Sequence, residues 1–374
     1  MLLIDKPVRV VSYLVLAGIV ALVVAASVIA WSGVYDIAAS RGHWAVVEWV
    51  LEFSMRNSVA RHAVVSARAI TIKTPPLDNP DLVRLGASHY HRGCAFCHGA
   101  PGMPVNPIAQ QMLPSPPDLT ESMRRWKLRE LFWIVKHGFK YTGMPSWVAL
   151  EREDEIWAVV AFLKRLPTLD VRGYRDLALG GVRVSQQTGK ELATLESNPE
   201  AVGACARCHG AEGQRPMSDL VPVLDGQPAD FLMSALKAYA EGKRRSGIMQ
   251  PMATDLQADD MRLLADYYAG LAPPQGEPRT TDAVLIETGR KLAVEGAPDN
   301  GVLPCLTCHG RDAPASYPHL AGQNAAYIAG QLRLRKMGHV PATDGAAIMA
   351  PIAQRLSDRQ IDAVSAYFAT ASTN

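Results

Sequence analysis

Polar and apolar positions along the chain divide it into a long apolar run, a mixed helical stretch and three similar amphipathic units. From Val10 to Trp31, 22 consecutive residues carry no charge, and Asp5, Lys6 and Arg9 stand just before them. A helix of that length can cross a bilayer. A cleaved signal peptide is the other reading, with Val28-Ile29-Ala30 as a small-residue cleavage site. Its apolar core would ordinarily be roughly 7 to 15 residues, shorter than this run, so an uncleaved anchor is expected. Lys6 and Arg9 then hold the N-terminus in the cytoplasm and place everything after Trp31 outside.

From Tyr35 to Ile72, Trp44, Val47 and Leu51, with Val50 and Met55, recur near helical spacing, while Arg41, Glu48, Glu52 and Arg56 take other positions. Trp44 and Trp49 suit a helix lying at the membrane interface or docked on a partner's transmembrane bundle. A helix that packs on the domain following it fits the pattern equally well. Thr74-Pro75-Pro76 ends the stretch.

Beyond it the same plan recurs. Helix-compatible segments open the units at Asp81–Tyr90, Gln187–Leu195 and Ala283–Val294. Others close them at Asp154–Leu166, Asp259–Leu271 and Asp358–Ala371, with Phe162, Tyr267 and Tyr367 as the aligned core-facing aromatics. The expected fold is all-α, divided into an anchor at 1–33, an amphipathic segment and linker at 34–76, and units at 77–172, 180–273 and 279–374.

A hydrophobic fraction of 48% with 20% charged residues is globular, and a net charge of +2 is too small to imply nucleic acid. The six cysteines change the picture most. All of them fall in three C-x-x-C-H motifs, Cys94/Cys97/His98, Cys205/Cys208/His209 and Cys305/Cys308/His309. Two thiols on one helical turn can add across the two vinyl groups of a haem while the adjacent His ligates the iron from the same side. Zinc ribbons pair C-x-x-C units, and a redox dithiol has no use for three copies each followed by His. Three covalent haem c groups are therefore expected.

Units two and three are the closest pair. His209 and His309 are 100 positions apart, as are Met249 and Met349 in I-M-Q-P-M-A and I-M-A-P-I-A. Leu224-Asp225-Gly226-Gln227 matches Leu320-Ala321-Gly322-Gln323, which marks a duplication. Each unit resembles a class I cytochrome c domain. Residues 180–374 resemble the tandem dihaem cytochromes c of bacterial respiratory chains. The first unit, with F-W-I-V-K-H-G-F-K-Y-T-G-M-P-S-W at 132–147, resembles single-haem, membrane-anchored class I domains.

That resemblance implies a methionine as the sixth iron ligand in each unit, here Met144, Met249 and Met349. Met252 rivals Met249, but its aligned counterpart is Ile352, which cannot ligate. Met103, Met112 and Met123 are expected to pack. Seven histidines lie outside the motifs: His43, His62, His89, His91, His137, His319 and His339. Any of them replacing a Met would lower a haem's potential, with His89 and His91 nearest to a motif. The resemblance also implies a proline carbonyl that holds the second ring nitrogen of each proximal His. Pro117, Pro222 and Pro318 are the candidates, unless they merely set turns. Lys243-Arg244-Arg245 and Arg333, Arg335 and Lys336 can neutralise haem propionates, dock an acidic partner or form a solvated face.

The function this implies is a membrane-tethered electron carrier rather than an enzyme. A peroxidase or gas-sensing haem protein needs an open iron site, and three Met-completed irons argue against one. The expected partners are the lipid bilayer and a redox protein: a dehydrogenase, a quinol-oxidising complex or a haem-copper oxidase, with the cytochrome subunit of a dehydrogenase complex as the alternative role. The expected place is the bacterial inner membrane, with the haem domains in the periplasm.

Overall fold

The computed structural model describes residues 6–67, 74–122, 125–180, 199–274, 282–310, 313–338 and 344–371. Among them there is no strand, only isolated bridges at Ala100–Met103 and Ala297–Val302. The segment Gln187–Leu195, Met123 and His339 lie outside the described residues.

Helix α1, Lys6–Ser32, is exposed along the length for which burial is described and is apolar and long enough to cross a membrane. Helix α2, Ala45–Ala67, packs its C-terminal half on the first unit. Val59 and Ala63 are buried, and His62 stacks on Trp133 with ring centres 6.0 Å apart. The N-terminal half leaves Val46, Trp49, Val50, Leu51 and Phe53 exposed, with Trp49 and Phe53 stacked at 5.6 Å.

The first unit is built on α3, Pro80–Gly93, α4, Leu128–His137, α5, Glu153–Arg165, and α6, Val171–Leu179. Asn79 caps α3, its side-chain oxygen accepting from the Asp81 N–H at 2.9 Å, and Pro80 follows at the first helical position. Helices α3 and α5 cross so closely that a Cβ on Gly86 would lie 2.0 Å from the Ala158 carbonyl oxygen. Only glycine permits that approach. The crossing seals a core of Tyr90, Phe132, Ile156, Val160, Phe162 and Leu166.

The second unit carries α7, Pro199–His209, α8, Ala229–Ala240, α9, Met249–Thr254, and α10, Ala258–Gly270. The third carries α11, Ala283–Glu295, α12, Ala325–Lys336, α13, Asp344–Arg355, and α14, Asp358–Thr370. There Gly289 meets Ala363 as Gly86 meets Ala158, with the same 2.0 Å approach.

The aromatic alignment holds for the backbone but not for burial. Phe162 is fully buried, whereas Tyr267 and Tyr367 are half-buried and their neighbours Tyr268 and Phe368 fill the core. In the second unit this has a polar cause. Tyr268 Oη donates to the Gly210 carbonyl at 3.2 Å, a task that Tyr90 of α3 performs on Gly99 at 2.7 Å in the first unit.

The units are docked on one another. Gln227 of the second unit donates to the His319 carbonyl at 2.8 Å and accepts from its N–H at 3.0 Å. Gln323 of the third makes the mirror pair with Val223, at 3.0 and 2.8 Å. The first unit meets the second through Ser218 Oγ, which donates to the Asp81 carbonyl at 3.0 Å, and through a 3.0 Å contact between Ser88 Oγ and Cys208 Sγ.

Candidate haem sites

Each C-x-x-C-H motif lies on helical backbone that brings its two cysteines and its histidine to one side. Ala95–His98 and Leu306–His309 are single turns, whereas Cys205, Cys208 and His209 end α7. Gly99 and Gly210 follow at φ of +67° and +86°, where a Cβ on Gly210 would lie 2.4 Å from the Gln214 carbonyl oxygen. Glycine lets the chain leave the motif sharply at both points.

The three histidines share one arrangement. Nδ1 of His98, His209 and His309 lies 2.9, 3.0 and 2.9 Å from the carbonyl oxygens of Pro117, Pro222 and Pro318. A carbonyl only accepts, so Nδ1 carries the proton and donates, and Nε2 is left with a lone pair for a metal. Burial pulls all three imidazoles below the ordinary histidine value, against the opposing pull of the proline carbonyl bond. Burial thereby favours the neutral ring, the form that can ligate a metal. Burial pushes the Cys94 thiol up to about 12 and those of Cys205 and Cys305 up to about 11.

A cavity of about 1500 Å³ runs through the second and third units and reaches Leu82, Ser88 and His89 of the first, but Cys94, Cys97, His98 and Met144 are not in its lining. Cys205, Cys208, His209, Met249 and Met252 line one part of it, and Cys305, His309, Met349 and Ile352 another. Met249 and Met252 are both half-buried on the same cavity. In the first unit Met144 is half-buried, its N–H donating to Thr142 Oγ1 at 3.1 Å, and Met112 packs beside Gly143.

Where the second and third units meet, the cavity holds a group of cations. Arg152 comes from the first unit, Arg244 from the second and Arg335 from the third, with Tyr239 and Tyr327 among them. Arg244 donates to Tyr327 Oη at 3.1 Å and lies 4.7 Å over the Tyr239 ring. Arg335 Nε is buried with no hydrogen-bond partner among the described residues. Buried guanidinium groups call for anions, and a haem brings two carboxylates. An apolar cavity lined by Cys205, Cys208, His209, Cys305, His309, Met249, Met252 and Met349, with the buried Arg335 Nε beside it, fits haem c. The remaining basic residues are engaged at the surface: Lys243 with Glu241, Arg245 with Glu151, Arg333 with Asp362 and Lys336 with Asp358.

Of the other described histidines, His89, His91 and His319 also line this cavity. His89 is wedged against Trp147, ring centres 4.7 Å apart, and burial pulls it down to about 4. His91 pairs with Tyr174 Oη at 2.9 Å, His62 and His137 flank Trp133, and His319 Nδ1 lies 3.2 Å from the Gly226 carbonyl oxygen. Sequence reasoning missed Gln227 and Gln323 as docking residues, although the L-x-G-Q repeat contained both. It also missed Glu155 and Ser246, for which no local signal exists.

Residues 81–163 match the family described as cytochrome C oxidase, cbb3-type, subunit III. A thiosulfate dehydrogenase electron acceptor of Thiomonas intermedia is 34% identical over 181 residues, which cover 47% of this chain and 82% of that protein. A cytochrome c4 of Pseudomonas aeruginosa is 33% identical over 167 residues, 44% of this chain and 81% of the relative. The crystal structure of reduced recombinant cytochrome c4 from Pseudomonas stutzeri aligns with a TM-score of 0.42 at 29% identity, over 46% of this chain and 96% of that one. The chain belongs to the class I cytochromes c, among relatives of the cytochrome c4 kind. It is an electron-transfer protein with covalently bound haem c, a carrier rather than an enzyme.

Proposed function

We propose that the chain is a membrane-tethered carrier that relays single electrons through three covalent haems between a membrane or periplasmic oxidoreductase and a terminal acceptor. The observation that carries this reading is the threefold recurrence of one His–Pro geometry, at 2.9, 3.0 and 2.9 Å, each beside its own cysteine pair. When attached, haem c supplies a one-electron couple. In this reading Cys94 and Cys97, Cys205 and Cys208, and Cys305 and Cys308 hold the three groups by thioether bonds. His98, His209 and His309, with Met144, Met249 and Met349, would ligate the irons. A thioether ligand favours the ferrous state and raises the potential.

The units at 77–172, 180–273 and 279–374 then act in chain order, with the second in the middle. Ser88 touches Cys208, and Cys94 follows Ser88 by six residues, about 9 Å of helical rise along α3. Helix α1 tethers the assembly to the bacterial inner membrane and leaves the haem units in the periplasm. One relative is named as the electron acceptor of thiosulfate dehydrogenase. By extension, the donor here is an oxidoreductase of that general kind or a quinol-oxidising complex, and the acceptor a haem-copper oxidase.

Intact mass of the purified protein tests the reading. It should equal the chain plus three haems, with membranes retaining the protein through a high-salt wash. A mass corresponding to two haems would remove one unit from the relay, and release of the protein by salt would remove the tether.

A further inference from the structure

At the join between the first two units, a buried carboxylate of one takes hold of the backbone that leads to the ligand of the other. Glu155, on α5 of the first unit, is fully enclosed. One of its oxygens accepts from Ser246 Oγ at 2.6 Å and pairs with Arg152 at 2.9 Å. The other accepts from the Gly247 N–H at 2.6 Å and from Trp147 Nε1 at 3.3 Å. Ser246 Oγ in turn accepts from the N–H of Met249 at 2.9 Å. A continuous hydrogen-bond path therefore runs from Glu155 through Ser246 to Met249, the first residue of α9.

Three further observations give this path a purpose beyond docking. Trp147 of the first unit packs so tightly on Gly247 that a Cβ there would lie 2.1 Å from its indole nitrogen. Arg152 also donates to the Arg245 carbonyl at 3.0 Å, so residues 245–247 are all gripped from the first unit. The duplicated third unit supplies the contrast. Its aligned residues are Ala346 and Ala347, which offer neither a hydroxyl nor a glycine, and Met349 lies within the continuous helix α13. In the third unit that methionine is placed by its own helix. In the second it heads a short helix whose lead-in is fixed from outside.

We propose that Glu155 is a positioning residue for Met249: acting through Ser246 and Gly247, the first unit holds the ligand loop of the second and so sets the potential of the second haem. Hydrogen bonds to a buried ion are worth more than neutral ones and are directional. Groups that orient a metal ligand tune the metal without touching it. This inference rests on the reading of Met249 as an axial ligand.

The test uses the full-length, haem-loaded protein and a spectroelectrochemical titration that resolves its midpoint potentials. Met249→Ala marks which couple belongs to the second haem. Ser246→Ala and Glu155→Gln should each shift that same couple and leave the others in place, with full haem content, and Ser246→Thr should restore it. If Ser246→Ala and Glu155→Gln leave every potential unchanged, or move a couple other than the one Met249→Ala marks, the inference is overturned. Should Glu155→Gln fail to accumulate, the Ser246→Ala and Ser246→Thr pair decides alone. If Met249→Ala moves no couple, it is the ligand assignment that fails, and that failure is seen separately.

Discussion

The side-chain amide of Gln323 grips both backbone groups of Val223, donating to the carbonyl at 3.0 Å and accepting from the N–H at 2.8 Å. Val223 follows Pro222, whose carbonyl faces His209. Gln227 does the same to His319, which follows Pro318. Each of these two units therefore steadies the strut behind the other's motif histidine. Gln323→Ala strands two buried backbone groups, at about 1–3 kcal/mol each. The variant is expected to undock the second and third units at lower urea concentration than the parent, read by urea denaturation of the haem-loaded protein.

The glycine crossings make a second prediction. Gly86→Ala places a methyl group 2.0 Å from the Ala158 oxygen, and Gly289→Ala does so at Ala363. Forcing a methyl into a packed crossing ordinarily costs about 1–3 kcal/mol, and here both neighbours are backbone, which cannot move aside. Each variant should lower the thermal transition of its own unit and leave the other units' transitions in place, as read by calorimetry. A shared shift would mean that the units melt as one.

For the proposed ligands, Met144→Ala, Met249→Ala and Met349→Ala should each leave the haem attached while one iron becomes open to carbon monoxide. Attachment needs only the cysteines, whereas the high potential needs the sulfur. Met252→Ala should leave every haem low-spin. Carbon monoxide difference spectra of the four variants check this directly. If carbon monoxide binds Met252→Ala and not Met249→Ala, the alignment of the second and third units is misplaced there.

What could be read in advance follows from how local the chemistry is. That the chain carries covalent haem c was legible because the C-x-x-C-H motif writes that chemistry in adjacent residues. The helices that open the first and third units and close all three were legible because burial imposes a period on neighbouring side chains. Docking was not. Gln227 stands in a visible repeat, yet its partner is backbone 92 positions away. Glu155 reads as an ordinary acid in the first turn of a helix, and only the approach of Ser246 and Gly247 makes it a buried link. Tyr268 displaced Tyr267 from the core for a similar reason, since the carbonyl it reaches belongs to Gly210, far off in sequence.

Asp225 offers a prediction in pH. Burial is the main cause raising its carboxyl from an ordinary 3.8 to about 6, with nearby Glu212 pushing the same way. The folded state therefore holds this proton more tightly than the unfolded chain. Between those two values the folded state binds more protons, so the second unit loses stability as pH rises through that window and stays at the lower level above it. The aligned residue in the third unit is Ala321, so the fold there needs no carboxyl. Asp225→Asn keeps the shape and removes the titration. Relative to the parent, its second-unit melting temperature should be higher at about pH 7 and nearly the same at about pH 4. Thermal melts of both proteins across that range provide the check. A variant that is less stable at about pH 7 would mean that the ionised carboxylate is itself a favourable part of the fold.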